Sequence, residues 1–266
     1  MADGSVPDPS SEPLMMPTKL RGVFGERRTP PAAWREFTDP NGRGRAALTA
    51  FLLGASLSGA LLLLLLLPAA APFCAYFCLL VVFHMLEYLL TAAFRPDTLS
   101  FDNFLLNHST AYQAMVALAV SEYWVEWYFS RPSKEWGPLN SAGLLICLVG
   151  MAVRTLGMAT ASTNFSHRIE EEKRPEHQLV THGIYSVLRH PAYFGFFWWS
   201  VGTQVLLANP FAALAYTAAS WHFFFDRIPE EEALLVSFFG EAYRQYRKRT
   251  SIGIPLVGWA VRRFPP

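Results

Sequence analysis

The chain has 266 residues, of which 52% are hydrophobic, 15% aromatic and only 16% charged. Soluble domains carry about a quarter charged residues, and here the apolar residues gather into long runs, so the composition points to a polytopic membrane protein and away from a soluble enzyme. The formal net charge of +1 offers no footprint for nucleic acid; Cys74, Cys78 and Cys147 all lie in apolar runs, which suits buried, reduced, inert thiols and neither a disulfide framework nor a metal cluster.

Residues 1–45 are rich in Pro, Gly, Ser and Arg and have no apolar period, which predicts a mobile N-terminal segment. The first apolar run starts too far from Met1, and is too long, for a cleavable signal peptide. It spans about Ala46 to Leu67 and is followed by a tight lumenal turn from Pro68 to Pro72. A second span, Phe73 to Phe94, leads into a polar link carrying Asp97, Asp102, Asn103, Asn107 and His108. The third, Ala111 to Phe129, carries Glu122 and Glu126; the fourth, Leu139 to Ala161, carries Arg154, which either faces a cofactor pocket or snorkels. A hydrophilic stretch, Ser162 to Arg189, precedes two coupled segments, Tyr193 to Leu207 and Phe211 to Phe225. Each falls short of the ~20 residues that cross ~30 Å of hydrocarbon, so each either continues into its flanks or packs within the protein. An amphipathic helix is predicted over Glu230 to Lys248, with Leu234, Leu235, Phe238, Phe239, Tyr243 and Tyr246 at helical spacing.

Basic residues set the orientation. Lys19, Arg21, Arg27, Arg28, Arg35, Arg43 and Arg45 precede the first span, and Arg244, Arg247, Lys248, Arg249, Arg262 and Arg263 follow the last. Both ends are therefore expected in the cytosol, the span number is even, and six fits. The same parity puts the Ser162 to Arg189 loop, with Arg168, Lys173 and Arg174, on the cytosolic face; Arg131 and Lys134 are a minor violation. The expected fold is an all-α, polytopic bundle with about six transmembrane segments. It divides into an N-terminal segment (1–45), transmembrane helices (46–161) and a C-terminal region (162–266) that forms a cytosolic pocket.

Two polar blocks carry the chemistry. The first runs from His177, Gln178, Leu179 and Val180 through Gly183 and Tyr185 to Arg189, His190, Pro191, Ala192, Tyr193 and Gly195; the second is Arg227-Ile228-Pro229-Glu230-Glu231-Glu232. Charged residues beside bilayer-length segments are costly and by default functional. Their positions predict a pocket at the membrane surface, closed by the two ends of one hairpin. Gly183 and Pro191 break helices, so the first block is a structured loop. Its backbone can read an adenine edge and Tyr185 can pack on a ring, although Tyr185 and Tyr193 taken singly are ordinary interfacial aromatics. GxGxxG and GxxxxGK[ST] are both missing, which argues against a Rossmann domain or P-loop. Arg227 suits bidentate capture of a substrate carboxylate, with snorkelling as its bland alternative. Glu231 can accept from ribose hydroxyls or an amine; Glu230 and Glu232 read as solvated or as helix N-terminal acids. His84 and Glu87 read as polar residues packed between helices rather than metal ligands, and no metal site is expected. The clusters Phe194, Phe196, Phe197, Trp198, Trp199 and Trp221, Phe223, Phe224, Phe225 could line an apolar tunnel, or pack as ordinary helix interfaces.

Together the motifs resemble those of isoprenylcysteine carboxyl methyltransferases, integral membrane enzymes of the endoplasmic reticulum. The matching residues include Phe83-His84 with Glu87-Tyr88, Leu105 to Ser109, Leu179-Val180-Thr181 with Gly183 and Tyr185, and Arg189-His190-Pro191 with Tyr193 and Gly195. They continue through Gly202-Thr203-Gln204, Asn209-Pro210, Trp221 with Phe223-Phe224, Arg227, Glu231, and Phe238-Phe239-Gly240 with Tyr243 and Tyr246. The resemblance covers most of the chain from about Phe83. It implies S-adenosylmethionine as methyl donor, contacted by Glu170, His177, Gln178, Leu179, Val180, Tyr185, His190, Pro191, Ala192, Tyr193 and Glu231, with Arg227 at the substrate. Glu170 stands where the family can carry glutamine, and animal members can have eight spans, so six to eight is the implied range. The implied acceptor is the C-terminal carboxylate of a farnesylated or geranylgeranylated cysteine in processed CaaX proteins such as small GTPases, reached from membrane lipid. The implied site is the endoplasmic reticulum membrane, with both termini and the active site cytosolic. A phospholipid N-methyltransferase is the nearest alternative, but an amine acceptor favours an acidic or aromatic pocket over Arg227. A non-catalytic scaffold or a transporter is the other alternative; internal repeats would support a transporter, and none is evident.

Overall fold

A computed structural model describes residues 34–39, 41–258 and 261. Lys19, Arg21, Arg27, Arg28, Arg262 and Arg263, and most of the 1–45 segment, lie outside the described residues. Among the described residues the regular structure is helical: α1 (Arg35–Thr38), α2 (Arg43–Leu66), α3 (Ala71–Phe94), α4 (Thr110–Phe129), α5 (Pro138–Ala161), α6 (Pro191–Leu207), α7 (Pro210–Phe239) and α8 (Glu241–Arg249). Local sequence explains the boundaries. Proline opens α5, α6 and α7, where a missing N–H costs nothing. The Ser109 hydroxyl caps α4 by accepting from the Tyr112 amide at 3.1 Å.

Three helical stretches are long and apolar enough to cross a membrane: Arg43–Leu66, Pro68–Phe94 and Arg131–Asn164. The first buries only Ala60, so its leucine run faces outward, as a lipid-facing helix should. The six longest helices, α2 to α7, stand where the six apolar segments were expected. The hairpin differs in one respect. Neither a helix end at Phe225 nor a separate helix over Glu230 to Lys248 is formed; α7 runs unbroken through Pro229 to Phe239, and α8 follows. Proline in a helix interior loses one hydrogen bond and crowds the preceding turn, yet packing carries α7 past it. The break comes instead at Gly240, whose φ of 55° favours glycine. The 30 residues of α7 extend about 45 Å, which removes the apparent shortness of this segment.

The most extensive helix pairing is α5 against α6, and glycines make it possible. Gly143, Gly150 and Gly157 recur every seventh residue on α5; Gly195 and Gly202 do so on α6. A Cβ on Gly143 would sit 2.2 Å from the Leu206 nitrogen, and one on Gly150 2.6 Å from the Trp199 nitrogen. One on Gly195 would meet the Gly150 carbonyl oxygen at 2.5 Å. Backbone lies directly on backbone along this seam. In lipid, such close contact replaces the hydrophobic effect as the force between helices.

At the end of the bundle away from the 162–190 loop, Lys134 is wholly buried. Its ammonium donates to the carbonyls of Leu207 (3.0 Å) and Ala208 (2.8 Å) and to Asn209 Oδ1 (2.8 Å), and pairs with Glu126 at 2.5 Å. Glu122 accepts from the Phe211 and Ala212 amides at 2.8 and 2.6 Å. A cation thus caps the C-terminus of α6 and an anion the N-terminus of α7, each matching the helix dipole. Lys134 is thus a buried, paired helix cap and not a free loop charge, whereas Arg131 is exposed, with its guanidinium 4.1 Å from the Trp127 ring centroid.

Replacing Gly150 by leucine must push the helices apart. Overpacking costs about 1–3 kcal/mol and often more where backbone is in the way. Gly150→Leu should lower the melting temperature in detergent by several degrees, while Gly54→Leu on α2, with nothing within 4 Å of its Cβ, should leave it unchanged. Equal melting of the two variants would contradict the seam.

Candidate active site

The loop between α5 and α6 is tied down along its length. The Gln178 amide donates to Asn164 Oδ1 at 2.8 Å. Lys173 donates to the Phe238 carbonyl at 3.1 Å, and the His177 ring packs edge-on against Phe238 and Phe239. Further on, the Arg189 amide donates to Ser251 O at 3.0 Å and its Nη1 to Thr250 O at 2.8 Å. Tyr246 of α8 donates to Tyr185 O at 2.7 Å. Glu232 is the anchor: it is wholly buried and faces Arg189 Nε at 2.5 Å, His190 Nε2 at 3.2 Å and Arg247 Nη1 at 3.5 Å. It is neither solvated nor at a helix start; α7 begins at Pro210, so the Glu230 to Glu232 run is mid-helix.

These ties shape an open cleft, the more polar of two cavities that meet at the head of α6. His177, Gln178, Leu179, Val180 and Tyr185 line one wall, His190, Pro191, Ala192 and Tyr193 the head of α6, and Glu231 the α7 side. Glu170 is the expected contact that does not line it. Its carboxylate turns to Arg174 at 2.8 Å and Arg95 at 3.4 Å, where two nearby guanidinium groups hold it against the base of the loop.

A second, larger cavity adjoins the first and is mostly apolar. Phe196, Trp199, Phe223 and Phe224 line it, as the aromatic clusters suggested, together with Phe83, Tyr112, Met115 and Tyr216. Phe197, by contrast, is buried in a separate core cluster with Trp198 and Trp221 packed on it. Arg227 lines this apolar cavity and not the polar cleft, and Tyr193 lines both. The Tyr193 hydroxyl donates to Glu231 Oε2 at 2.6 Å and accepts from Arg227 Nε at 2.9 Å. The His190 ring stacks on Tyr193 at 5.5 Å, and Arg227 Nη2 donates to His167 O at 2.8 Å. One hydroxyl therefore links a cation on the apolar cavity to an anion on the polar cleft.

Arg154 does not snorkel. It is buried, chelates both oxygens of Glu87 through Nε and Nη2, and donates from Nη1 to Ala192 O at 3.0 Å. His167, not singled out in the sequence, meets Glu87 Oε2 at 2.8 Å. His84 spans Phe104 O at 2.7 Å and the Tyr112 hydroxyl at 2.9 Å, so His84 and Glu87 are packed polar residues between helices. The available signal was one acid and one base in two different interior spans. Tyr243 was missed as a cleft residue. Its hydroxyl and His177 Nδ1 are buried without a hydrogen-bond partner, and both residues line the cleft.

The sequence model of the "Isoprenylcysteine carboxyl methyltransferase (ICMT) family" matches residues 143–237, from the glycine seam through Glu231. A protein-S-isoprenylcysteine O-methyltransferase of Xenopus laevis is 43% identical over 213 residues, covering 80% of this chain and 74% of that one. The chain belongs to the isoprenylcysteine carboxyl methyltransferase family. The Dictyostelium discoideum enzyme of the same name is 46% identical over 176 residues, covering 66% of this chain and 74% of its own. A solved structure of the eukaryotic intramembrane Ras methyltransferase ICMT superposes with a TM-score of 0.76 at 39% identity, covering 78% of this chain and 75% of that chain. This family member is thus a multi-pass membrane enzyme with an all-helical fold.

Burial pushes His177 below its ordinary value of 6.5, with Glu170 opposing the shift. Burial also raises the Tyr246 phenol, to about 12, and Tyr185 still further, so the aromatic wall stays neutral. A histidine with a depressed folded pKa is neutral in both states at pH 8. As pH falls through 6.5 the unfolded chain takes up the proton first and stability is lost. Melting temperature should therefore fall on acidification from about pH 7.5 to about pH 5.5, and fall less in His177→Gln. An identical fall in both proteins would show that His177 is not the group responsible.

Proposed function

We propose that this protein transfers a methyl group from S-adenosylmethionine to the C-terminal carboxylate of a prenylated cysteine, at the junction of its two cavities. The observation that carries this reading is Tyr193, which walls both cavities and bonds Arg227 on the apolar side and Glu231 on the polar side. The cleft suits the donor: the buried Tyr243 hydroxyl makes no hydrogen bond, and a buried polar group without a partner is costly. His177, Gln178, Leu179, Val180, Tyr185, His190, Pro191, Ala192, Tyr193 and Glu231 would hold it, with loop backbone toward the adenine and Glu231 toward ribose hydroxyls or the amine. When bound, S-adenosylmethionine supplies an electrophilic methyl on a cationic sulfur. Glu170 stands just behind the cleft, 3.7 Å from His177 Nδ1, and braces the loop through Arg174.

The acceptor needs no general base. A C-terminal carboxyl has a pKa of ~3.5 and is ionised at neutral pH. The protein's task is alignment, and holding reactants in a near-attack arrangement can supply ~7–11 kcal/mol. Arg227 uses one N–H on Tyr193 and one on His167 O, so its orientation is set before substrate arrives. The remaining N–H donors can grip the carboxylate as a fork.

Six helices, α2 to α7, are proposed to cross the endoplasmic reticulum membrane, with both termini and the cleft in the cytosol. Arg45, Arg95, Arg168, Lys173, Arg174, Arg244, Arg247 and Lys248 all belong to elements at the loop end of the bundle, which supports that orientation. Processed CaaX proteins such as small GTPases would present their prenyl chain from lipid.

Purified protein should place label from S-adenosylmethionine on N-acetyl-S-farnesylcysteine as a base-labile ester, and none on phosphatidylethanolamine offered in parallel. Label on the lipid amine would move the protein to the phospholipid N-methyltransferases. Arg227→Ala and Arg227→Lys should each lower kcat/KM about 10- to 100-fold, the equivalent of ~1.5–3 kcal/mol for hydrogen bonds to a charged group. Lysine keeps the charge and loses the planar fork, so near-normal turnover of the lysine variant at matched protein level would refute bidentate capture.

A further inference from the structure

Two acceptors aim Arg227, and one of them is braced from the core of the bundle. The Tyr193 hydroxyl is the first; the second is the His167 carbonyl, which accepts from Nη2 at 2.8 Å. The ring of the same His167 meets Glu87 Oε2 at 2.8 Å. A carboxylate only accepts, so the ring donates through its Nε2–H. Glu87 is fixed in turn. It is buried on α3, and both its oxygens are held by Arg154, which also donates to Ala192 O at the head of α6. The segment leading to His167 is tied to α3 a second time. Arg95, which closes that helix, donates from Nη1 to Thr163 O at 3.3 Å and to Phe165 O at 2.8 Å. Arg227 of α7 therefore takes its direction from α3, by way of one histidine.

We propose that His167 is a positioning residue for the methyl acceptor: its ring, anchored on Glu87, holds in place the carbonyl that aims Arg227 at the carboxylate. This deepens the function proposed above and rests on it. His167 and Arg227 both line the apolar cavity, so the guanidinium has open space on one side and needs a fixed acceptor on the other. With the ring released from Glu87, the carbonyl is free to shift and the guanidinium keeps one firm bond, about which it can swing. A misplacement of about 1 Å can cost about 100-fold in rate. Arg154 still pairs with Glu87 when the ring is removed, so no buried charge is left uncompensated.

The test uses two amides that differ by one methylene. Glutamine places an N–H as many bonds from Cβ as Nε2 of histidine; asparagine stops one bond short. In the full-length enzyme, His167→Asn and His167→Leu should lower kcat/KM for N-acetyl-S-farnesylcysteine about 10- to 100-fold, and His167→Gln less than about 5-fold. KM for S-adenosylmethionine should stay within about twofold in all three, because the polar cleft keeps its walls. Equilibrium binding of N-acetyl-S-farnesylcysteine is compared with that of its methyl ester. Wild type and His167→Gln should prefer the acid, and His167→Asn should lose that preference. In an Arg227→Ala background His167→Asn should cost less than about twofold, since nothing remains to be aimed, whereas independent losses multiply. If His167→Leu does not fold, the two amides decide. Equal kcat/KM in the two amide variants, multiplying losses, or an acid preference that His167→Asn leaves intact would overturn the positioning role. Methyl transfer by wild type would in each of those cases still uphold the proposed function. A wild type that binds the acid in preference to the ester but never methylates it would overturn the function, and loss of that preference in His167→Asn would still uphold the positioning role. A wild type with neither activity nor preference would overturn both.

Discussion

Backbone contact between α5 and α6 is the constraint on which the site depends. Lipid rewards the burial of one apolar side chain against another very little, so helices in a bilayer are held by close packing and by polar links. The glycines of this seam let α6 approach until the Ala192 carbonyl reaches Arg154 and Pro191 lies over Gly157. That approach fixes the head of α6. His190, Pro191, Ala192 and Tyr193 follow in direct succession there, and all four line the cleft. A wider seam would carry Tyr193 away from Arg227 and Glu231 together.

Charge inside the bundle is almost everywhere matched. Glu87 holds Arg154 and His167; Glu232 holds Arg189, His190 and Arg247; Glu126 holds Lys134. Removing one partner of such a pair typically costs ~3–5 kcal/mol, because the other is left buried and uncompensated. Arg227 is different. Its bonds go to a phenol and a carbonyl, which orient the cation without neutralising it. An anion entering the junction meets a positive charge that is already aimed.

The two cavities answer a problem of solubility. Under the proposed function, a polar donor and an isoprenoid have opposite solvent preferences, and two adjacent spaces, one of mixed lining and one mostly apolar, would meet both. Tyr193, Phe165 and Ser166 border both spaces. Tyr193 is apolar across its ring, where it packs on His190 and Phe224, and polar at its hydroxyl. That amphipathic character lets it border both spaces.

Sequence by itself determined the class of the molecule and most of its helices. Apolar runs long enough to span a bilayer, closed by Pro and polar links, specify helix positions locally, because a helix satisfies its own backbone hydrogen bonds. The cleft residues from His177 to Tyr193 were legible as well, since a polar loop interrupted by Gly183 and Pro191 is conspicuous beside hydrocarbon-length segments. The tertiary structure alone decided which charges are structural. Glu232 and Glu170 look alike in sequence to Glu231 and Glu171, yet one is a buried anchor and the other a loop brace. Their partners lie far along the chain: Arg189 is 43 residues from Glu232, and Arg95 is 75 from Glu170. The same holds for Lys134, whose acceptors are 73 to 75 residues away, and for the passage of α7 through Pro229, where packing outweighs a local preference to break. Periodicity reports which residues share a face; only the packed bundle determines what that face meets.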